Sequence, residues 1–483
     1  MNTFKVSLIS ASLLLAFGST ACTTVGSKYE RPPLDLPASI GDGQAAINST
    51  VPVDWLTWWK SFQDPVLNAL LDEALANNQD LILAAGRIEE ARANSALTYS
   101  NRYPTVDATG AASKTRSSEN SGKLPAGASP ASQVFQLGLN TSYEIDFWGK
   151  LNHADQAARA RLLALEANSG LVQTTLYTSI AQSYFALRSY DAQVTLADSA
   201  FQTRQENLRL QQKRFSAGSV GTLELHQAES EVAATEITLA QARRSVANTE
   251  SVLALLVGRS PSAIARPQIA RGAAIATLYS HVVVPSDLPS DLLNRRPDII
   301  AAEQSLIASN ADVGQAKAQY FPTIKLTSSI GYESRVFQDL FNPASLLWNL
   351  GANLVQPVFR AGAIGAVVAG AEARKSQARA EYVHSVQNAF RDVHDALSNL
   401  SADDQIYRAT QRRAAALKDT LRLANLRYNN GYSSYLEVLS AQRDLLQTES
   451  SLIDVQRSHL SALVGLYKAM GGGWEKSQSL ASN

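Results

Sequence analysis

Four segments of the chain alternate apolar and polar residues, which is the pattern of a β-strand with one apolar face. In residues 135–148 the odd-numbered positions are apolar apart from Thr141, and the even-numbered positions are mostly polar. Segments beginning at Thr323 and Trp348 alternate similarly, while the one after Pro104 has a weaker apolar side. Strands of this kind are typical of a membrane-spanning barrel, although a half-buried sheet in a soluble protein shows the same alternation.

The strand pattern also predicts how such a barrel would be built. Shifting the second strand by one residue would turn Glu144 and Asp146 toward lipid, at a cost of up to about 2–4 kcal/mol for a charge at mid-bilayer. Four strands cannot close, and an open sheet edge is not tolerated in hydrocarbon, so protomers must share the barrel. Residues 115–133 form a long polar connection, whereas the other strand ends run into helices. We therefore expect the loops outside the cell and the helices in the periplasm.

Apolar residues at heptad spacing predict long helices. One series runs through Leu187, Phe201 and Phe215, and a second runs through Leu400 and Tyr428, with further members seven residues apart. This spacing is that of coiled coils. The first arm contains no proline between about residues 150 and 215, so it would extend about 100 Å. A tube of side-by-side helices fits this length, and a lone antiparallel stalk is the alternative.

Strands and helices both occur twice in the chain. Residues 78–106 align with residues 296–324, and the later glycines of the first copy recur 213 positions further on. Each copy contains a helix, two strands, a very long helix, a turn and a return helix. We therefore predict a signal peptide over 1–21, an anchored segment over 22–65, a first repeat over 66–258, a linker over 259–287, a second repeat over 288–471 and a tail over 472–483.

The N-terminus has the features of an export signal. A lysine precedes a twelve-residue apolar run and a group of small residues, and the run is too short to span a bilayer. Cys22, the only cysteine, follows directly. Its surroundings resemble a bacterial lipobox, with Ser19 where leucine is usual, so we expect a diacylglycerol and an N-acyl chain on Cys22. Thr23, in place of aspartate, favours the outer membrane. The alternative is a chance cysteine behind an ordinary signal peptide.

Composition adds few constraints. Lysine plus arginine and aspartate plus glutamate number 43 each, so charge gives no reason to expect nucleic acid. The six histidines are scattered, and the sequence contains no HExxH, CxxC, Walker or GxSxG motif. We therefore expect no catalysis, no metal and no cofactor other than the covalent lipid.

Several motifs together resemble a known family. They are VPSDLPSDLLNRRPDIIAAEQSL at 284–306, AKAQYFPTIKL after it, YEIDFWG at 143–149 and QPVF at 356–359. The chain from Cys22 to about Gly473 resembles the outer-membrane efflux proteins, the TolC-like channels, and specifically the lipoprotein subgroup paired with RND pumps.

This resemblance implies an α+β membrane protein. Four transmembrane strands from each protomer would contribute to a shared trimeric β-barrel, which a long periplasmic helical barrel would continue. A homotrimer of this kind would dock on a periplasmic adaptor (membrane fusion) protein and an inner-membrane RND pump. A shorter helix over 67–102, the linker and the tail would form an equatorial belt around the tube.

The resemblance also assigns site residues. Glu437 matches an acidic gate position in the family, and Ser440 matches a second one that is usually aspartate. The alternative is that Glu437 has no gate role and is an exposed glutamate in the first turn of its helix, where the helix dipole favours it. The turns match the adaptor-contacting tips: Gly218, Ser219, Val220, Gly221 and Thr222 in the first copy, and Gly431, Tyr432, Ser433 and Ser434 in the second.

Three functions stay open at this point. The best supported is a passive exit duct for small-molecule efflux. A type I protein-secretion duct is the alternative within the family, and a periplasmic coiled-coil adaptor or structural lipoprotein without a pore is the alternative outside it. The cargo cannot be read from the sequence.

Overall fold

The computed structural model describes residues 25–36, 54–121, 127, 129–281 and 292–475. Ten α-helices and four β-strands lie in these residues. In the first half they are α1 Pro65–Asn77, α2 Gln79–Ser100, β1 Thr105–Arg116, β2 Ala131–Ile145, α3 Lys150–Ser216, α4 Thr222–Leu256, α5 Pro261–Ala265 and α6 Ile275–His281. In the second half they are α7 Leu292–Arg295, α8 Pro297–Ala318, β3 Thr323–Ser334, β4 Leu346–Val355, α9 Ala363–Asn429 and α10 Tyr435–Ala469.

The elements repeat in the order that the sequence duplication predicts. The long helices α3 and α9 each have 67 residues, and the return helices α4 and α10 each have 35. Equivalent side chains bind the ends of the return helices: Asn78 donates to the carbonyl of Leu256 at 2.8 Å, and Arg296 donates to that of Ala469 at 3.1 Å. Within the described residues no helix is long and apolar enough to cross a membrane.

The single helix expected over 67–102 was wrong. The structure breaks it at Asn78, whose backbone is extended (φ −68°, ψ 129°). The Asn78 side chain accepts the amide of Asp80 at 2.8 Å and so caps α2, while its amide group binds Leu256. Because its side chain makes both of these hydrogen bonds, Asn78 ends α1 and caps the start of α2.

The described residues divide into two compact units. The first, which we call the sheet unit, contains residues 25–33, 88–121, 127, 129–164 and 302–382. The remaining described residues form the second, which we call the hairpin unit. The sheet unit holds all four strands, in the antiparallel order β1-β2-β3-β4. The hairpin unit holds both helix turns and the main apolar core.

The strand register separates an apolar from a polar face, as predicted. One cross-strand row contains Ala108, Leu139, Ile330 and Trp348. The next row, on the other face, contains Asp107, Asn140, Ser329 and Asn349. Trp348 is 74% exposed, so the apolar face is bare in the isolated protomer. β1 and β2 pair out to Arg116 and Ala131, which makes their connection shorter than the predicted 115–133.

The hairpin unit has an aromatic core. Trp58 stacks on Tyr467 with ring centroids 5.2 Å apart, and Phe62 packs on Phe185 at 4.9 Å. Trp474, in the C-terminal segment, donates its indole N–H to the carbonyl of Arg295 at 2.9 Å. This core joins the residues before α1, the long helices and the end of the described chain.

A buried carboxylate organises the edge of this core. Asp64 is fully buried, accepts the amides of Val66 and Leu67 at the start of α1, and accepts the Tyr184 hydroxyl at 2.7 Å. The amide of Ala273 donates to it at 3.0 Å. Burial and the bond to Asp64 raise the pKa of Tyr184 above its usual range, so Tyr184 stays a neutral donor.

Candidate functional site

Both helix turns close the preceding long helix in the same way. Gly218 and Gly431 have φ values of 72° and 76°, which glycine adopts without the steric cost that other residues incur. In each turn the next amide donates to a carbonyl five residues back, at 2.8 Å in the first and 2.9 Å in the second. These are Schellman caps. The turn glycines therefore have a structural role independent of any docking role.

The first turn leads into a well-capped helix. The amide of Gly221 donates to the Glu224 carboxylate at 3.1 Å, which satisfies a free donor at the start of α4. Ser219 and Thr222 are exposed, and Val220 is half-buried. The side chains predicted to contact a partner are thus accessible on a turn that both adjoining helices hold in place.

The second turn lacks a side-chain cap at the start of its return helix. Ser434 precedes α10 but makes no side-chain capping bond, and the buried Ser433 hydroxyl has no hydrogen-bond partner among the described residues. Tyr432 is 77% exposed. The Glu437 carboxylate lies 3.9 Å from the Arg427 guanidinium, with both side chains about half exposed. At this distance and exposure the pair contributes little to stability.

The two predicted gate residues share one side of α10. Glu437 and Ser440 are exposed and lie one helical turn apart, while Val438 and Leu439 are buried. The structure thus leaves the predicted gate side chains free to face another protomer, and the opposite side of α10 packs against its own chain.

Aromatic side chains join the two turns. Tyr428 lies 5.3 Å from Tyr435, between ring centroids, and the Arg214 guanidinium lies 5.4 Å from the centre of the Tyr428 ring. Gln211 donates to the Tyr428 hydroxyl at 3.1 Å. The end of α3, from the first copy, therefore packs on the second turn through a cation–π contact and a hydrogen bond.

A charge cluster, absent from the sequence predictions, lies further along the same helices, with Arg204 and Glu231 buried and the Arg443 side chain 58% exposed. We name Arg204, Glu231 and Arg443 the charge cluster. Glu231 is 4% exposed, lies 3.7 Å from Arg204 Nε and accepts Arg443 Nε at 2.7 Å. Burial lowers the pKa of Arg204. The cluster links α3, α4 and α10, so it joins the first hairpin to the second.

Comparison of the two copies could have revealed the cluster. Arg204 follows Phe201 by three residues, at a position where heptad spacing expects an apolar side chain, and the position 213 residues later holds Leu417. The first copy thus has a charged residue at a heptad position where the second copy has an aliphatic one, and this difference is visible in the sequence. Its partner Glu231, however, cannot be identified without knowing how the helices pack.

The segment after Cys22 is fixed to the sheet unit. Arg31 binds both oxygens of the Glu303 carboxylate at 2.7 Å, and the Tyr29 hydroxyl donates to Glu303 at 3.0 Å. The amide of Val25 donates to the carbonyl of Trp148 at 3.1 Å. Cys22 itself lies outside the described residues.

His459 takes a structural position in the hairpin unit. His459 is 8% exposed and lies 5.0 Å from the Tyr279 ring. Burial lowers its pKa, which favours the neutral form. In the described ranges no group of three or more His, Cys, Asp or Glu residues could hold a metal ion.

Comparison with known proteins identifies the class. The family model for outer membrane efflux proteins matches residues 70–259 and 288–472. The chain is 35% identical over 464 residues to the cation efflux system protein CusC of Escherichia coli O6:H1, covering 96% of this chain and 98% of CusC. The chain belongs to the outer membrane efflux protein family.

Two further relatives align over most of their length. The probable outer membrane lipoprotein SilC of Salmonella typhimurium is 32% identical, with 98% of this chain and 99% of SilC aligned. The toluene efflux pump outer membrane protein TtgI of Pseudomonas putida is 35% identical, with 86% and 87% aligned.

The fold also matches solved channels. The Campylobacter jejuni CmeC outer membrane channel superposes with a TM-score of 0.88 at 26% identity, covering 95% of this chain and 97% of CmeC. The open state of the Neisseria gonorrhoeae MtrE channel gives 0.80 at 28% identity, covering 94% and 99%. The predicted fold class is thereby confirmed: the four strands are one protomer's share of a trimeric outer-membrane barrel, which a periplasmic helical barrel continues.

Proposed function

We propose that the trimer is the passive exit duct of a tripartite efflux system, in which an inner-membrane RND pump and a periplasmic adaptor supply the cargo. The observation that carries this proposal is the four-stranded sheet. It has a bare apolar face, a polar face and two unpaired edges, and its strands lead directly into two long helical hairpins. Such a sheet can enter a bilayer only as part of a closed barrel around water.

The cargo is set outside this chain. CusC is named for cation efflux and TtgI for toluene efflux, yet each is 35% identical to this chain. Exit ducts that are equally similar to this chain are thus named for chemically unrelated cargoes. We propose that the pump selects the cargo, that the duct conducts what it receives, and that the chain performs no catalysis.

The first test is a bilayer recording. Purified trimer should form pores in planar lipid bilayers, and deletion of the gene should increase cellular retention of the cargo of the cognate pump. If the trimer formed no pore at any voltage or ionic condition, the exit duct would be excluded. A structural lipoprotein without a pore would then explain the protein better.

Glu437 is proposed to line the closed aperture. Three carboxylates facing one axis at about 6 Å would repel by roughly 3 kcal/mol per pair at an effective dielectric of 20. Glu437→Gln should therefore change single-channel conductance and weaken the block by divalent cations. Glu224→Gln, at the corresponding helix start of the first copy, is the matched control. Identical conductance and cation block in Glu437→Gln and wild type would remove Glu437 from the gate.

Cys22 is proposed to carry the lipid. It precedes Val25, whose amide donates to the carbonyl of Trp148, by three residues in the sequence. The name of SilC, a probable outer membrane lipoprotein, supports an anchor of this kind. The tips are proposed to contact the adaptor through the exposed residues of both turns.

Labelling with radioactive palmitate tests the anchor. Cys22→Ser should abolish incorporation, because the thioether to diacylglycerol cannot form. Ser19→Leu, which restores the usual lipobox residue, should keep or increase it. Incorporation that persists in Cys22→Ser would show that the lipid is attached elsewhere.

A further inference from the structure

The most exposed large apolar side chains of the described residues follow β4 directly. Val358 and Phe359 are 93% and 85% exposed, more than Trp348 on the apolar face of the sheet at 74%. Both lie between the end of β4 and the start of α9. Because they stand beyond the strand, insertion of the sheet in lipid does not account for them.

The internal duplication provides a counterpart that is already packed. The connection between β2 and α3 occupies the equivalent place in the first copy, and the 213-residue offset aligns its Trp148 with Ala361, two residues after Phe359. There Trp148 stacks on Phe321, with ring centroids 4.6 Å apart and planes 26° apart, and its indole N–H donates to the carbonyl of Pro322 at 2.9 Å. Within one protomer, therefore, a strand-to-helix connection packs on the helix-to-strand connection before the neighbouring strand. We call this contact the internal joint.

The other half of a second joint lies at the opposite sheet edge. Tyr103-Pro104 aligns with Phe321-Pro322 and precedes β1. Tyr103 is 53% exposed and Tyr99 is 46% exposed. The two rings lie 5.3 Å apart, and their hydroxyls are 2.6 Å apart. This aromatic pair has no counterpart of Trp148 resting on it within its own protomer.

Barrel closure brings the two halves together. β1 and β4 are the edge strands of the sheet, so in the trimer β4 of one protomer neighbours β1 of the next. The end of β2 pairs with the start of β3, and the start of β3 pairs with the end of β4. β4 thus ends at the same end of the sheet where β1 begins, so the segment that holds Phe359 and the Tyr103 of the next copy lie at the same end of the barrel.

We infer that Phe359 of one protomer packs on the Tyr103 ring of the next. Ala361, at the place of Trp148, has no ring to stack, so Phe359, two residues earlier, would make a contact of the same kind as the internal joint, three times between protomers. The inference rests on the proposed trimeric duct and adds the side chains that hold its subunits together at the base of the barrel. The occupant of the exposed surface is a second copy of this chain, in continuity with the strand pairing that closes the barrel.

Disulfide trapping tests the contact. Phe359→Cys and Tyr103→Cys are combined in one chain, and the purified protein is oxidised and run on non-reducing gels. We expect covalently linked dimers and trimers, because the proposed contact would bring the two Cα atoms near the separation of about 4–7 Å that a disulfide needs. Each single variant is the matched control. Both singles retain Cys22, so they also report any linkage that this residue causes.

A second pair controls for contact within a protomer. Phe359→Cys combined with Phe321→Cys joins two positions of one chain and should give no linked oligomers. Separately, Phe359→Ala should lower the temperature at which the detergent-solubilised trimer dissociates, measured by native mass spectrometry, while Phe359→Tyr should keep it near the wild-type value.

The outcomes separate the contact from the channel function. Wild type that forms pores and trimers, together with a double-cysteine variant that gives no linked oligomer and a Phe359→Ala trimer of unchanged stability, would overturn the contact alone. Wild type that forms neither trimers nor pores would overturn the proposed duct itself.

Discussion

Replacing Glu231 with Gln is expected to loosen the two helix turns and to increase the open probability of the channel. The Glu231 and Arg204 side chains are each 5% exposed and lie 3.7 Å apart. Removing one partner of a buried ion pair costs about 3–5 kcal/mol, because the remaining charge is left uncompensated. Glutamine could still accept the hydrogen bond from Arg443 Nε, but it carries no charge, so the ion pair that links α4 to α10 would be lost.

Glu224→Gln is the matched control for this prediction. Glu224 lies two turns nearer the start of α4 and is partly exposed, and glutamine can still accept the amide of Gly221, so its effect should be small. For both variants, the open probability is measured by single-channel recording, and the firmness of the turns is measured by their sensitivity to protease. A Glu231→Gln channel that opens no more often than wild type, with turns equally resistant to protease, would show that the charge cluster does not restrain the closed state.

Replacing Asp64 with Ala is expected to destabilise the hairpin unit by about 3 kcal/mol or more. The substitution would leave the Tyr184 hydroxyl and the amides of α1 and Ala273 without their buried acceptor. Each orphaned buried donor costs about 1–3 kcal/mol. The cost falls on the aromatic core, because Asp64 follows Phe62 by two residues.

Asp54→Ala provides the comparison. Asp54 also accepts two local hydrogen bonds, from the Leu56 amide and the Thr57 hydroxyl, but it is exposed. Its loss should change stability by about 0.5 kcal/mol. Thermal unfolding followed by tryptophan fluorescence reports on both, since Trp58 and Trp59 lie in the core. Equal midpoints for the two variants would contradict the assigned role of Asp64.

The sheet could be predicted from the sequence because its pattern has a fixed period. Alternation in residues 135–148 determines which side chains share a face, and a one-residue slip would expose charge to lipid. The structure accordingly pairs Glu144 with Lys325 on the polar face. The long helices could also be predicted, because their apolar residues recur with the fixed period of a heptad. The division of the chain into predicted domains, with its boundaries, stays a prediction.

The candidate site could be predicted only in part. Gly218 and Gly431 were recognisable as turn glycines because a left-handed cap favours glycine. The helix break at Asn78 and the charge cluster were not, because both depend on partners more than a hundred residues away in the chain. Asn78 binds Leu256, and Glu231 binds Arg443. Local periodicity carries no information about such pairs, and the gate role of Glu437 still depends on the family resemblance.

The unpaired edges of β1 and β4 have a consequence for how the protein is made. A newly exported protomer would expose a bare apolar face and two rows of free backbone donors and acceptors, which invite pairing with any extended chain. Its final sheet hydrogen bonds can form only with other copies. Bilayer insertion and subunit pairing must therefore proceed together. The rate at which protomers meet then determines how often the free edges pair with another chain before the channel is assembled.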